Sequence, residues 1–157
     1  MKVNKYILSI CKNGMIVIIP CMLIICFTQV ILRYGFNYSL SWGEELARYM
    51  LVWASCLGAV YASDKGMHVS MDIIRSKLKG KLLLLSLLCL HSCLLLFFAV
   101  CIWQGILYAQ NGWFRQSPSM EIRMTYFYAA IPVSFSFMFF IQIEKFINEI
   151  KQSLFIE

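Results

Sequence analysis

Residues 41–69 read SWGEELARYMLVWASCLGAVYASDKGMHV. Two adjacent carboxylates, Glu44 and Glu45, open the stretch together with Arg48. An apolar run rich in small residues follows, from Met50 to Ala62. The stretch ends at a charged turn that holds His68, one of two histidines in the chain. Twenty or so apolar residues in helical form cross a bilayer. Charge beside such a segment is costly and marks a place where it is used. The stretch therefore predicts a membrane helix over about 42–62 with a polar mouth.

The remainder of the chain is mostly apolar. Hydrophobic residues make up 61% of the 157, and only 14% are charged, against roughly 25% in a soluble domain. Three further apolar stretches, about 14–32, 82–109 and 124–146, leave too little for a soluble domain of the usual ~50 residues or more. The expectation is an all-α integral membrane protein, a single membrane domain over residues 1–157 with four transmembrane helices. At ~1.5 Å per residue the third would reach ~42 Å, more than a ~30 Å hydrocarbon core. It must tilt or project, and Trp103, Tyr108, Trp113 and Phe114 form an aromatic belt at its far end. The basic N-terminus resembles a signal peptide in outline. Its apolar run is long, and bulky Arg33-Tyr34-Gly35-Phe36 follows in place of a cleavage site, so it reads as a retained span.

The loops set the orientation. Ten of the 14 Lys and Arg residues fall in the N-terminal tail, the loop after the second span and the C-terminus. Arg33, Arg48, Arg115 and Arg123 fall on the other side. Positive-inside asymmetry then places both termini in the cytoplasm and Ser41 outside. This distribution also accounts for the net charge of +6 without nucleic acid. Two short interfacial helices are expected. One precedes the first span, where Tyr6, Ile7, Leu8 and Ile10 alternate with Lys2, Lys5 and Lys12. The other covers about 68–79, where Val69, Ile73, Ile74 and Leu78 share a face and Arg75, Lys77 and Lys79 lie elsewhere, suited to anionic membrane lipid.

Ser41 reads as an N-cap with Glu44 three residues on, a capping box. Arg48 lies four residues after Glu44 and three after Glu45, so it can pair with either. The triplet serves helix-start anchoring or a polar contact with another helix or subunit. A proton relay would want carboxylates at depth, and no Asp or Glu lies in the middle of any span. Ala54, Gly58 and Ala62 form a ladder spaced by four, and Ser55, Ala59 and Ser63 form a second one. Such faces let helices approach closely, and in lipid that packing drives association. Six of the seven cysteines lie within apolar segments, where a thiol acts as a small hydrophobe, and there is no CxxC pair. No haem, zinc or other cofactor is expected, because His68 and His91 do not share a depth and no four-ligand cluster appears. No catalytic constellation appears either, so the chain is not read as an enzyme. A stand-alone redox subunit and a small homo-oligomeric exporter are the competing readings.

The chain resembles the small membrane subunit of tripartite ATP-independent periplasmic (TRAP) transporters, the DctQ-like family. Arg33-Tyr34, Trp42-Gly-Glu44-Glu45-Leu-Ala-Arg48-Tyr49, Trp53, Leu57-Gly58-Ala59, His68-Val69 and Asp72 carry the resemblance. Gly43 stands where the family often has serine. The resemblance implies a multi-pass protein of the bacterial inner membrane. It implies two protein partners, a large permease subunit and a periplasmic binding protein that delivers an organic acid for sodium-driven uptake. The small subunit would brace the large one. Arg33, Trp42, Glu44, Glu45, Arg48, Trp53, Ser55, Gly58, Ala59, Ala62 and His68 are the expected assembly residues.

Overall fold

The computed structural model describes residues 2–77 and 81–154, with side chains described for 4–64 and 85–148. Helices account for nearly all of them: α1 (Lys2–Gly35), α2 (Ser41–Lys77), α3 (Lys81–Asn111), a short α4 (Thr125–Tyr128) and α5 (Ala130–Leu154). A single 3-10 turn, Gly112–Phe114, follows α3. Among the described residues there is no strand, only one isolated bridge between Gln116 and Arg123.

Three of these helices are long and apolar enough to cross a membrane: α1 over Asn4–Gly35, α3 over Leu85–Phe114, and the α4–α5 segment over Thr125–Asn148. The second helix is not among them. Its charged mouth and its many small residues dilute its hydropathy, although its length is ample. The described residues are thus all-helical, with three helices apolar enough to cross a membrane, and the fourth expected span, about 42–62, lies in α2.

The two interfacial helices are not separate elements. The first is the start of α1, which runs unbroken from Lys2. Ile7 and Cys11 are buried there in the main core cluster, so the tail packs on protein and does not lie apart on lipid. The second is continuous with α2 as far as Lys77. The faces of residues 68–79, and the His68 side chain, lie outside the described side chains.

The helices form a row. Along its length α1 packs on α2, α2 on α5, and α5 on α3. A Cβ on Gly58 would sit 3.5 Å from Met15 Sδ, and one on Gly43 2.8 Å from Gln29 Nε2, so α1 and α2 run antiparallel. Gly105 lets α3 come against the Pro132 ring: a Cβ there would lie 3.1 Å from Pro132 Cδ and 3.2 Å from its nitrogen. Pro132 itself stands in the first turn of α5, where the missing N–H costs little. The Ser136 hydroxyl donates to the Pro132 carbonyl at 2.7 Å. Ser134 is buried.

Ile7, Cys11, Leu57, Val60, Phe98, Met138 and Ile141 form a core that draws on all four long helices. On α5, Ser134, Met138, Ile141 and Gln142 are buried, the 3.6-residue spacing of one inward face. At the edge of the row, α1 leaves Val17, Leu23, Ile24, Phe27 and Val30 exposed. In lipid such residues gain nothing by association, so packing and polar contacts must hold the row together.

Candidate functional site

Several of the expected residues gather at the mouth of α2, its N-terminal end. The helix begins at Ser41, and the Gly43 and Glu44 amides donate to the Leu40 carbonyl at 3.1 and 3.5 Å. Leu40 therefore holds the cap position, one residue before the serine expected there. The Glu44 carboxylate is not folded back into a capping box. It pairs with Arg48 at 3.5 Å, one turn on, and both side chains are largely in solvent.

Glu45 behaves differently from its neighbour. The Tyr49 hydroxyl lies 2.7 Å from one of its oxygens, and the Ser119 amide donates to the other at 3.0 Å. Successive helical residues point about 100° apart, so one carboxylate of the pair meets solvent and the other meets the chain. Tyr49 also stacks on Phe127, with ring centroids 3.6 Å apart and planes 10° from parallel, and its hydroxyl lies 3.2 Å from Met124 Sδ.

Glu45 and Tyr49 thus clamp the connection between α3 and α4. That connection is a folded hairpin in its own right. The Ser117 amide donates to Ile122, the Met124 amide to Arg115, and the Glu121 amide to Ser117. Glu121 takes a left-handed backbone, φ 55°, at the tip. Thr125 donates from its hydroxyl to the Ala109 carbonyl at 3.0 Å. The Arg123 guanidinium lies 3.8 Å over the Trp113 ring, a cation–π contact. At the neighbouring α1–α2 corner Asn37 is left-handed, φ 50°, a conformation asparagine tolerates. The Phe36 and Tyr38 amides both donate to Leu32 there.

The small-residue ladders divide between faces. Ala54 is buried, and Gly58 turns toward Met15 of α1. Ser55, Ala59 and Ala62 are exposed, a strip left uncovered among the described residues. Arg33 and Trp42 are exposed near the mouth, and Trp53 is half-buried midway. The eleven expected residues therefore do not form one patch. Ser55, Ala59 and Ala62 share an outward strip, Glu44 and Arg48 an exposed pair, and Glu45 an internal clamp.

A contact the sequence reading did not single out lies toward the opposite end. Lys145 Nζ of α5 sits 3.0 Å from Asp64 Oδ1 of α2 and donates to the Asp64 carbonyl at 2.7 Å. The two side chains are only 11% and 25% exposed. The available signal was an aspartate and a lysine at the ends of two apolar segments. His91 is buried, with Nδ1 2.9 Å from the Leu87 carbonyl and its ring stacked on Phe146 at 5.3 Å. That is a packed, hydrogen-bonded histidine.

Comparison with known proteins bears on the role of these faces. The family described as "Tripartite ATP-independent periplasmic transporters, DctQ component" matches residues 22–152. A Haemophilus influenzae protein named for the small permease of a TRAP transporter is 41% identical over 76 residues, 48% of this chain and 45% of that protein. The match thus spans less than half of that relative. The sialic acid TRAP transporter small permease protein SiaQ of Vibrio cholerae is 29% identical over 123 residues, 78% of this chain and 71% of its own length. The isethionate TRAP transporter permease protein DctMQ of Oleidesulfovibrio alaskensis is 28% identical over 99 residues, 62% of this chain but 16% of that much longer one.

Proposed function

Because the chain belongs to the DctQ component family of TRAP transporters, we propose that it braces a large permease subunit in the bacterial inner membrane. It does so with four membrane crossings, α2 included, and with both termini in the cytoplasm. The transporter takes up an organic anion handed over by a periplasmic binding protein, with a sodium gradient as the driving force. The family match carries this reading. The two relatives named for a substrate, sialic acid and isethionate, support an organic anion, one a carboxylate and the other a sulfonate. The DctMQ relative supports the large partner, since the matched part is a small fraction of one long permease chain.

The docking surface is the strip of Ser55, Ala59 and Ala62 on α2, with Trp42, Glu44, Arg48 and Arg33 beside its outer end. These side chains stay exposed after the chain has packed on itself. Small residues there let a partner helix approach closely in lipid. Replacing Ala59 by tryptophan should reduce co-purification with the large permease while leaving this chain folded. Gly58→Leu is the contrast: it would press on Met15 and loosen α1 from α2. Unchanged co-purification and uptake in Ala59→Trp would remove the strip from the interface.

A further inference from the structure

Beyond the docking strip, the far end of α3 carries a second, unassigned feature. Tyr108, Asn111, Gly112, Arg115 and Tyr128 line a cleft of about 250 Å³. Its polar groups are mostly donors: a guanidinium, two phenol hydroxyls and a side-chain amide. The Tyr108 and Tyr128 rings lie 4.5 Å apart, and Arg115 lines the cleft beside them. Glycine at 112 keeps the cleft in this shape. A Cβ there would fall 2.7 Å from Tyr128 Cδ2 and 3.0 Å from the Thr125 amide nitrogen. Glu45, the half-buried carboxylate at this end, is already held by Tyr49 and Ser119.

The cleft also has an apolar approach. Leu96, Val100, Trp103 and Leu107 are exposed on α3 at spacings of four, three and four. That stripe runs up the exposed side of the helix and, one turn later, reaches Asn111. Exposed Trp103 and Tyr108 mark the headgroup level.

We propose that this cleft binds the phosphodiester of a phospholipid from the adjoining leaflet, with an acyl chain lying along the α3 stripe. The guanidinium meets two phosphate oxygens in fork geometry. The tyrosine hydroxyls and the Asn111 amide take the others. A free phosphate could use the same donors but would draw nothing from the stripe, whereas a lipid engages both.

Native mass spectrometry of the full chain in detergent, titrated with dioleoyl phosphatidylglycerol, tests this. One lipid should be retained, and dioleoylglycerol, which has the same chains without phosphate, should bind roughly tenfold more weakly or worse. Arg115→Gln should weaken the phospholipid by about tenfold. Arg33→Gln removes an exposed arginine from the same side and should leave binding within about twofold. If Arg115→Gln does not keep its helical circular dichroism, Tyr128→Phe carries the test. It removes one hydroxyl, preserves the ring contact with Tyr108 and should cost several-fold. Equal binding of phospholipid and diacylglycerol would overturn the proposal, and so would equal binding by wild type and a folded variant. Displacement of the lipid by millimolar inorganic phosphate would assign the cleft to a free anion and overturn the lipid reading.

Discussion

Removing the Lys145 ammonium should be the most damaging single change at the end of the protein away from the mouth of α2. Lys145 makes two contacts with one residue, 3.0 Å to the Asp64 carboxylate and 2.7 Å to its carbonyl. Lys145→Met breaks both and strands a carboxylate that is three-quarters out of water. Breaking a fully buried pair costs about 3–5 kcal/mol. With 11% and 25% of the side chains still exposed, about 2–3 kcal/mol is the appropriate figure. Asp64→Asn keeps an oxygen acceptor and the carbonyl, and loses only the charge, so about 1 kcal/mol is expected. The double variant Lys145→Met/Asp64→Leu leaves no stranded charge. Measured with the single Asp64→Leu, it should be more stable than the Lys145→Met and Asp64→Leu costs added together, by about 1 kcal/mol or more. Reversible unfolding in mixed dodecyl maltoside and SDS micelles, followed by helical circular dichroism, gives these numbers. Because the pair is largely out of water, 0.5 M salt should change them little. A Lys145→Met cost below about 0.5 kcal/mol, the scale of a surface pair, would refute the reasoning. Strict additivity of the singles would refute it equally.

Two further outcomes follow from the other end. Gly112→Ala puts a carbon against Tyr128 and the Thr125 backbone, and backbone cannot swing aside, so a loss of about 1–3 kcal/mol is expected in the same unfolding assay; a neutral result would refute the need for glycine in the turn after α3. Glu45→Gln should weaken the hold on the 112–124 hairpin and speed trypsin cleavage after Arg115 and Arg123, whereas Glu44→Gln should leave cleavage unchanged; equal rates in both would remove the clamp.

Much of the membrane architecture was legible because apolar length is a local property. The runs in α1 and α3 declare themselves without reference to anything else in the chain. The second helix did not declare itself in the same way. Its polar mouth identified it by motif, while the same residues keep its hydropathy low. Helix continuity was not legible. Lys2, Lys5 and Lys12 suggested a tail on the membrane surface, yet backbone hydrogen bonding passes through charged positions freely, and Ile7 and Cys11 found a protein surface to pack on. The roles of adjacent residues were the least legible. Glu44 and Glu45, or Gly58 and Ala59, are near-equivalent on paper. What separates them is a partner distant in sequence: Ser119 for Glu45 and Met15 for Gly58. The same holds for Asp64, whose partner is 81 residues away.

The positions of the cross-helix polar contacts say what kind of object the row is. One clamp, Glu45 with Tyr49 and Ser119, ties the mouth of α2 to the α3–α4 hairpin. The other, Lys145 with Asp64, ties α2 to α5 toward the opposite end. Between them the described contacts are apolar packing around Leu57, Phe98 and Met138. Packing alone lets helices slide, because lipid offers each of them an equally apolar neighbour. Polar contacts at the mouth of α2 and at Asp64, well before its end at Lys77, fix its register and tilt against the rest. A helix held in this way presents Ser55, Ala59 and Ala62 as a surface of fixed geometry. That is what a brace requires, and a carrier that must change shape around its cargo does not. Of the two inner helices of the row, α2 is the one tied by polar contacts both to the α3–α4 hairpin and to α5.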